Sequence, residues 1–477
     1  MIGWLVLGCG LAKGPIETTM LEEAPVSDIP VAGVLPSWLP GTPEVQKLEN
    51  GLTLWVLHDP SIPLVSARLV LPGGTVTDPP EAWGFSWLAA EMLEESTEKR
   101  GTAELAGGFK LLGANMSVDA RKTAVVASLD ILADRFEEGL ALLAEAVLQP
   151  AFDEGDWQRV KGLHLESIEQ RWEEGRSLAE DLAGLSWYGA ENPMGWPQRG
   201  TPESVERVYR ERVRDSMTEW VVPTGSTLVV VGDADVGRVR TAVEGAFGAW
   251  EGAPSARVVA ARQAAQPSAA IPESRFLLLD LPGSAQTAIR VVGRGPGAAE
   301  DTYTGARLAG ILLGGSFTSR LNLLLREEKG YTYGARARYQ STGPVGMFVA
   351  STSVQTEVTA PALTDLVAEL GRFGAGFTAE EAGKARAQVL ANALDVGESR
   401  SALADRHASS AGEGWDVGQF ATQIEQSSGV QATDLDSAVS SWFAPEELLF
   451  VLAGDAERVS DGLSEAGFSF QVVEPPR

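Results

Sequence analysis

The sequence predicts an α+β protein made of two homologous halves, each with a β-sheet covered on one side by helices. Two strand patterns occur twice: VSARLVLPGGT (65–75) returns as TAIRVVGRGPG (287–297), and TLVVVGDAD (227–235) returns as LLFVLAGDAE (448–457). Asp233 and Asp455, which follow the second pair of strands, are separated by the same offset along the chain as the strands of the first pair. Two landmarks at one offset indicate a duplicated unit, and strands that alternate with long helical patterns indicate an α+β fold.

Two long helical patterns occupy the first half. Residues 130–148 carry apolar side chains at helical spacing and stop just before Pro150, which cannot continue a helix. Residues 153–188 form the second pattern, and its acidic start suits the positive end of a helix dipole. We therefore predict helical structure over both stretches.

Composition divides the chain into five segments. The joint between the halves, EGAPSARVVAARQAAQPSAAIPESR, is rich in Ala, Pro and Ser and has no sustained apolar face, as is typical of a linker. The predicted segments are a short lipoprotein signal (1–8), a proline-rich tether (9–42), the first half (43–250), the linker (251–275) and the second half (276–477).

The chain has a single cysteine, Cys9, directly after the apolar run MIGWLVLG. This pattern resembles the lipobox of bacterial lipoproteins, in which the leader is removed and the cysteine becomes the lipidated first residue. The run is short and no Lys or Arg precedes it, as in a truncated leader. We expect Cys9 to be lipidated and the protein to be an outer-membrane lipoprotein facing the periplasm, with a plain frayed N-terminus as the alternative. No apolar run reaches the length of about 18 residues that spans a membrane, so the lipid would be the only membrane anchor.

The formal net charge is −27, from 65 acidic and 38 basic side chains. A surface of this sign repels phosphate backbones, which argues against nucleic-acid binding. It would attract a basic peptide or a basic partner, although an acidic solvated surface is the simpler explanation of the charge.

Four segments resemble the M16 peptidase family, which includes insulinase, pitrilysin and the mitochondrial processing peptidase. They are KLENGLTLWVLHDPSIPLVSARLVLPGGTVTDPPEAWG (47–84), ELAGGFKLLGANMSVDARKTAVVASLDIL (104–132), NPMGWPQRGTPESV (192–205) and LGGSFTSRLNLLLREEKGYTYGARARY (313–339). The resemblance covers nearly all of 47–467. It implies the clamshell of two α+β halves found in M16 and LuxS-like metallohydrolases, and descent from zinc metalloendopeptidases.

The zinc motif of that family, His-x-x-Glu-His on a helix, is missing at the matching place. Residues four apart on a helix share a face, so both histidines can bind one metal while the glutamate handles the proton of the attacking water. Here the motif positions read WLAAE (87–91), and the place of the third ligand, a glutamate in the family, falls on Ser167. The resemblance therefore implies a degenerate site at Trp87, Ala90, Glu91 and Ser167, with no metal or other cofactor in this chain.

One alternative metal site stays open in the sequence. The chain has three histidines, His58, His164 and His407. Of these, His164 lies about one helical turn before Ser167. Glu91, His164 and either Glu166 or Glu169 could together bind a metal, although a histidine on a half-buried helix face is more often structural.

A second functional motif of the family is intact. REEKGYTY (326–333) matches the M16 segment in which an Arg and a Tyr reach across to the metal cleft and bind the substrate backbone and the oxyanion. The matching residues are Arg326 and Tyr333, and a guanidinium and a phenol suit the charge that develops on a carbonyl oxygen. Without the resemblance, the simpler interpretation is that Arg326 pairs with Glu327 or Glu328 and that Tyr333 is ordinary core.

A lost zinc site together with an intact Arg and Tyr resembles the non-catalytic member of bacterial two-subunit M16 peptidases. The implied partner is a zinc-bearing M16 chain of similar size, in a heterodimer that hydrolyses peptides. Two alternatives stay open: a structural or peptide-binding scaffold subunit, and a self-sufficient metallopeptidase with a non-standard site.

Overall fold

Each half of the chain is built on one six-stranded mixed sheet. The computed structural model describes residues 38–171, 173–264, 274–342 and 345–475, all within one compact unit. Cys9, the predicted signal and most of the predicted tether lie outside these residues.

The strands of the first half are β1 (Glu44–Lys47), β2 (Thr53–His58), β3 (Leu64–Leu71), β4 (Asn115–Ala120), β5 (Val125–Leu132) and β6 (Thr227–Gly232). Those of the second half are β7 (Phe276–Asp280), β8 (Gln286–Gly295), β9 (Ala335–Thr342), β10 (Val345–Gln355), β11 (Leu449–Gly454) and β12 (Gln471–Val473).

The strand arrangement confirms two homologous α+β halves. The sheet orders are β1-β2-β6-β3-β5-β4 and β12-β7-β11-β8-β10-β9. The distance along the chain from the start of β3 to the start of β8 equals the distance from the start of β6 to the start of β11. The ends of β6 and β11 are separated by the same distance. β3 is antiparallel to β5 and β6, and its counterpart β8 is antiparallel to β10 and β11. The sheets differ at one edge, where β1 is antiparallel to β2 but β12 is parallel to β7.

Helices follow the strands in the same order in both halves. Residues 38–264 contain α1 (Phe85–Met92), α2 (Thr102–Leu111), α3 (Phe136–Leu148), α4 (Glu154–Arg171), α5 (Gly175–Tyr188), α6 (Pro202–Glu206), α7 (Arg210–Met217), α8 (Val236–Phe247) and α9 (Ala256–Ala264). The second half contains α10 (Tyr303–Gly310), α11 (Thr359–Arg372), α12 (Ala379–Glu398), α13 (Arg400–Gly412), α14 (Gln419–Gly429), α15 (Ala432–Trp442) and α16 (Ala456–Glu465). Two π-helical segments, Ile311–Gly315 and Asn322–Glu328, follow α10.

Three sequence-based assignments differ from the structure. Residues 130–132 still belong to β5, where Leu132 pairs with Leu64, so α3 starts only at Phe136. The stretch 153–188 is two helices, α4 and α5. Part of the predicted linker is α9, whose Val258 is fully buried. Apolar residues serve a strand end and a helix equally well, so their spacing alone did not locate these boundaries.

Each sheet is also covered on its second face, by a helix from the other half. α5 belongs to the first half but packs on β8 and β11 through Leu178 and Leu182. α13 belongs to the second half but packs on β3 and β6 through Ala404 and Ala408. We call α5 and α13 the crossing helices. The sequence predicted helices on one face only, because an apolar helix face does not reveal which sheet it covers.

Two arginines at equivalent positions hold the crossing helices in place. Arg68 of β3 donates from Nε to Asp405 of α13 at 2.7 Å, and Arg290 of β8 donates from Nη2 to Glu180 of α5 at 3.0 Å. Arg68 and Arg290 are related by the same offset as the strands that carry them. The ion pairs that connect each sheet to a helix of the other half are therefore part of the repeat. A buried guanidinium is costly without a carboxylate, and Arg68 also pairs with Asp130 at 3.1 Å. The pairs therefore favour this one arrangement of the two sheets.

Candidate functional site

A buried carboxylate fixes the helix that carries the degenerate metal positions. Asp78 accepts hydrogen bonds from the backbone N–H of Gly84 at 3.0 Å and of Ser86 at 2.9 Å, where α1 begins. Burial raises the pKa of Asp78 to about 7, although the hydrogen bonds from Ser86 and Gly84 oppose this shift. Gly84 has a φ of 87°, and a Cβ there would lie 2.4 Å from the carbonyl oxygen of Arg199. Only glycine fits this turn, so the start of α1 is set by its sequence.

Trp87, at the place of the first metal ligand, is packed against two side chains. Its ring stacks on the His164 ring with centroids 6.1 Å apart, and the guanidinium carbon of Arg199 lies 4.2 Å from the centre of the Trp87 ring. The latter is a cation–π contact. His164 Nε2 lies 2.8 Å from the carbonyl oxygen of Arg199; a carbonyl only accepts, so Nε2 carries the proton. We call Trp87, His164 and Arg199 the tryptophan stack.

The remaining positions that match the metal site of the family do not fit zinc. Ala90 is 2% exposed and belongs to the core, and Ser167 donates its hydroxyl to the carbonyl oxygen of His164 at 2.8 Å. Glu91 is the one carboxylate left; burial raises its pKa, and the charge of Arg199 opposes this. Zinc sites in proteins use at least three side-chain ligands, and these positions offer one.

The alternative site around His164 does not form either. The Nε2–H of His164 is donated to the carbonyl oxygen of Arg199, so this nitrogen is not free to bind a metal. Glu166 and Glu169 are exposed on α4. Among the residues that the structure describes, no three His, Cys, Asp or Glu side chains lie close enough together to bind a metal.

The other two histidines lie away from α1. His58 is exposed, with Nε2 3.9 Å from Asp233. His407 is buried in the crossing helix α13 against Phe420, and burial lowers its pKa to about 4. His58 is thus a surface residue and His407 is a buried residue of the fold.

Arg326 and Tyr333 line one hollow of about 560 Å³ in the second half. Tyr333 is 94% exposed, so it contributes nothing to a core. The guanidinium carbon of Arg326 lies 3.9 Å from the centre of the Phe317 ring, and its Nε lies 3.5 Å from Glu327. The structure thus brings the two motif residues to one surface, while the ion pair with Glu327 is long and exposed.

The backbone around this hollow is held by one asparagine and one glycine. Asn322 donates to the carbonyl oxygen of Ala335 at 2.8 Å and accepts from its N–H at 2.9 Å, which ties the π-helical segment to β9. A Cβ on Gly314 would lie 2.1 Å from the backbone nitrogen of Ala337, so only glycine allows this close approach. The loop that presents Arg326 and Tyr333 therefore starts from a fixed base.

A second cleft of about 560 Å³ lies between the halves, beside the tryptophan stack. Lys122 and Arg199 line it from the first half, and Arg290 and Gln340 line it from the second. Lys122 donates to the carbonyl oxygen of Trp196 at 2.7 Å, and burial lowers its pKa to about 8. Sequence reasoning missed these cations; only Arg290 left a signal, because it repeats the arginine of β3.

Comparison with known protein families identifies the family of this chain. Residues 54–187 match the model of the insulinase family, peptidase family M16, and residues 207–389 match that of the peptidase M16 inactive domain. The chain belongs to the M16 family.

Curated relatives share modest identity with this chain. It is 21% identical over 363 residues to YmxG, an uncharacterized zinc protease of Bacillus subtilis, which covers 75% of this chain and 85% of that one. It is 22% identical over 353 residues to an uncharacterized zinc protease of Rickettsia bellii, covering 73% and 82%. A shorter match, 30% over 143 residues, is to a probable mitochondrial-processing peptidase subunit alpha-2 of Arabidopsis thaliana, covering 29% and 28%.

Solved structures share the whole fold. The peptidase M16 inactive domain from Pseudomonas fluorescens superposes with a TM-score of 0.78 at 21% identity, covering 86% of this chain and 98% of that one. A protease from Helicobacter pylori gives a TM-score of 0.78 at 16% identity, with 87% and 100% covered. A chain of complex III from Candida albicans gives 0.72 at 15% identity, with 89% and 100% covered. Such likeness supports the clamshell architecture.

Within the described residues, no helix combines the length and the apolar composition that a membrane crossing requires.

Proposed function

We propose that this chain is the non-catalytic subunit of a two-chain M16 peptidase and that it lends Arg326 and Tyr333 to the active site of a zinc-bearing partner. The partner would carry the His-x-x-Glu-His motif that is missing here. The pair would hydrolyse peptides that enter the space between the chains.

The observation that carries this proposal is the exposure of Tyr333. A large aromatic side chain that is 94% exposed stabilises no core, and exposed aromatic residues beside an arginine are typical of binding surfaces. Tyr333 shares its hollow with Arg326. The former ligand positions of α1, in contrast, are packed. The accessibility of Arg326 and Tyr333, beside a packed α1, supports the proposal that this chain contributes to substrate binding and not to metal binding.

The chemistry assigned to the two residues is donation to a developing charge. When a peptide bond is attacked, its carbonyl oxygen becomes negative. The Arg326 guanidinium is always charged and the Tyr333 hydroxyl is a neutral donor, so both can donate hydrogen bonds to that oxygen or to the substrate backbone. The zinc of the partner would supply the activated water.

The cellular location remains a separate proposal. We propose that Cys9 carries the lipid of an outer-membrane lipoprotein, on the strength of its position after a short apolar run. Metabolic labelling with a fatty-acid analogue tests it: label on the parent and none on Cys9→Ser is expected. An unlabelled parent chain contradicts the assignment.

Mixing experiments test the subunit role. An M16 chain that carries the His-x-x-Glu-His motif is sought in the source genome and mixed with parent, Arg326→Ala or Tyr333→Phe protein, and cleavage of a fluorogenic peptide is followed. We expect each variant to lower kcat by about 10²- to 10³-fold, because each removes one oxyanion donor, while assembly by gel filtration is unchanged. Arg240→Ala is the control, since Arg240 pairs with Glu244 on the exposed face of α8. Full activity from both variants would favour the scaffold alternative.

A further inference from the structure

The hollow around Arg326 and Tyr333 has the opposite charge to the rest of the chain. The protein carries 65 acidic against 38 basic side chains. Nevertheless, the residues that line this hollow include four arginines, Arg176, Arg326, Arg336 and Arg338, and no Asp or Glu. The net charge would favour a basic ligand, whereas the charge of this surface favours an acidic one.

These arginines are poorly compensated within the chain. In the described part of the chain, no carboxylate lies within salt-bridge distance of Arg176 or Arg336, and the one beside Arg326 is the exposed Glu327 at 3.5 Å. Arg338 donates from Nε to the side-chain oxygen of Gln340 at 3.1 Å, a neutral acceptor. Like charges at close range repel. A bound anion from outside the chain would therefore reduce the repulsion among the arginines of the hollow.

The positive surface continues into the cleft between the halves. Arg336, Arg338 and Gln340 alternate along β9 and therefore share one face of that strand. Gln340 also lines the cleft, together with Arg199 and Arg290. Desolvation and the neighbouring charge of Arg290 lower the pKa of Arg338, and the charge of Glu180 opposes this shift. The hollow around Arg326 and Tyr333 and the cleft between the halves are thus connected along one face of β9.

The acidic residues of the cleft neutralise this positive surface only in part. Glu180 pairs with Arg290 at 3.0 Å and Asp181 pairs with Arg171 at 3.3 Å, so neither forms an ion pair with the other arginines of this surface. Arg199 rests on the Trp87 ring, and no carboxylate of the described residues forms an ion pair with it. We call Arg176, Arg199, Arg290, Arg326, Arg336 and Arg338 the basic strip.

The shape and the surroundings of the basic strip favour a peptide over a nucleic acid. Each hollow measures about 560 Å³, which suits side chains of an extended chain and excludes a duplex. The net charge of −27 repels a long polyanion outside the hollow. Guanidinium groups bind carboxylates in a planar, two-pronged geometry.

We propose that the basic strip binds Asp and Glu side chains of an extended peptide, so that the substrates of the assembled peptidase are acidic close to the bond that is cut. The second part rests on the proposed function. The first part concerns this chain alone and is measurable without a partner.

Binding of labelled peptides to the purified chain is the direct test. Three fluorescent ten-residue peptides of Gly and Ser, each with three Glu, three Gln or three Lys, are compared by fluorescence anisotropy. We expect the Glu peptide to bind at least tenfold more tightly than the Gln peptide at low salt, and the Lys peptide to bind most weakly. The difference should largely disappear at about 0.5 M salt, where charges are screened beyond a few Å.

Substitutions locate the binding surface. The double variant Arg336→Gln, Arg338→Gln should weaken binding of the Glu peptide about five- to tenfold and leave the Gln peptide unchanged. Both side chains are exposed, so folding, followed by Tm, should not change. Arg207→Gln, Arg240→Gln is the matched control, since these arginines form i,i+4 pairs on helices away from the cleft.

Three outcomes overturn the proposal. Equal affinity for the Glu and Gln peptides removes the carboxylate preference, and an equal loss in the control variant shows that only overall charge matters. Equally tight binding of a single-stranded oligonucleotide with matched charge assigns the strip to polyanions in general. If peptide binding fails but Arg326→Ala still abolishes cleavage in the mixed complex, the subunit role stands without this inference. Acidic-peptide binding with no effect of Arg326→Ala on cleavage leaves the inference without the subunit role.

Discussion

Helix α1 and the hollow around Arg326 and Tyr333, which the sequence resemblance matches to the two functional elements of an M16 active site, are packed in opposite ways. In α1, Trp87 is covered by His164 and Arg199, and Ala90 is part of the core. In the hollow, Tyr333 is almost fully exposed. Trp87 and Ala90, which match metal-site positions of the family, are packed, whereas the residues proposed to bind a substrate are accessible. Substitutions in the two regions should therefore separate stability from activity.

The largest expected effect is the loss of stability when the zinc motif is rebuilt. The change Trp87→His, Ala90→Glu, Glu91→His, Ser167→Glu removes the tryptophan stack and forces a carboxylate into the buried position of Ala90. We expect a loss of roughly 5 kcal/mol in the free energy of unfolding without metal, because an unpaired polar group is buried and a large ring is deleted.

Urea unfolding with and without zinc, together with elemental analysis, measures this effect. Ser167→Glu alone is the control, because Ser167 is only half-buried and should tolerate the change. A rebuilt chain as stable as the parent, with one bound zinc, would contradict the view that packing has replaced the metal.

The next effect concerns the carboxylate at the start of α1. The pKa of Asp78 is raised from 3.8 to about 7 in the folded chain, because the group is buried. The stabilising contribution of protonated Asp78 is therefore complete below about pH 4 and is lost as the pH rises through 7. Asp78→Asn does not titrate, so the parent should lose roughly 2 to 4 kcal/mol relative to this variant between pH 4 and 8.

Unfolding midpoints at several pH values compare the two proteins, with Asp461→Asn, an exposed position on α16, as a control. Groups elsewhere titrate in both proteins and cancel in the difference, although Lys122 loses its nearby charge in the variant. A difference that stays constant from pH 4 to 8 would mean that Asp78 is ionised throughout.

A smaller effect is expected from Trp87→Ala alone. The side chain is partly buried and makes one aromatic and one cation–π contact, so its removal should cost about 2 kcal/mol. Trp87→Phe keeps a ring in the stack and should cost less. Urea denaturation of both variants ranks them, and an unchanged midpoint for Trp87→Ala would show that the stack does not stabilise α1.

The smallest effect on stability is expected in the hollow. Tyr333→Phe and Tyr333→Ala should change the free energy of unfolding by less than about 0.5 kcal/mol, because the side chain is exposed. Differential scanning calorimetry provides the measurement. A loss above about 1 kcal/mol for Tyr333→Ala would assign a structural role to this residue and weaken the comparison between the regions.

The sequence was sufficient for the features that depend on local patterns or on the repeat. The shared offset of the two strand pairs predicted the duplication, because each strand pattern and the Gly-Asp that follows the second pair recur at the same distance along the chain. The WLAAE segment contains no histidine, and the degenerate metal site inferred from it stays a prediction. In contrast, residues 130–132 were assigned to a helix, since the end of β5 and the start of α3 are both apolar. The helix α9 was missed because its apolar positions do not form a sustained stripe.

Features that join distant segments were not predictable. Nothing in Gly175–Tyr188 reveals that this helix packs on the sheet of the second half, because a helix face specifies burial and not a partner. The tryptophan stack joins α1, α4 and the loop with Arg199, and the basic strip collects cations from α5, β8 and β9. Only the folded chain brings these residues together.

The crossing helices make the duplicated chain indivisible. A fragment that ends at residue 250 would keep α5 without the sheet that α5 covers, and would leave Val229 and Val231 of β6 facing water in place of α13. Such exposed apolar faces promote aggregation. The two halves should therefore unfold in a single cooperative transition, and neither is expected to be stable when produced separately, although each has its own six-stranded sheet. Each half therefore supplies a helix that completes the packing of the other half.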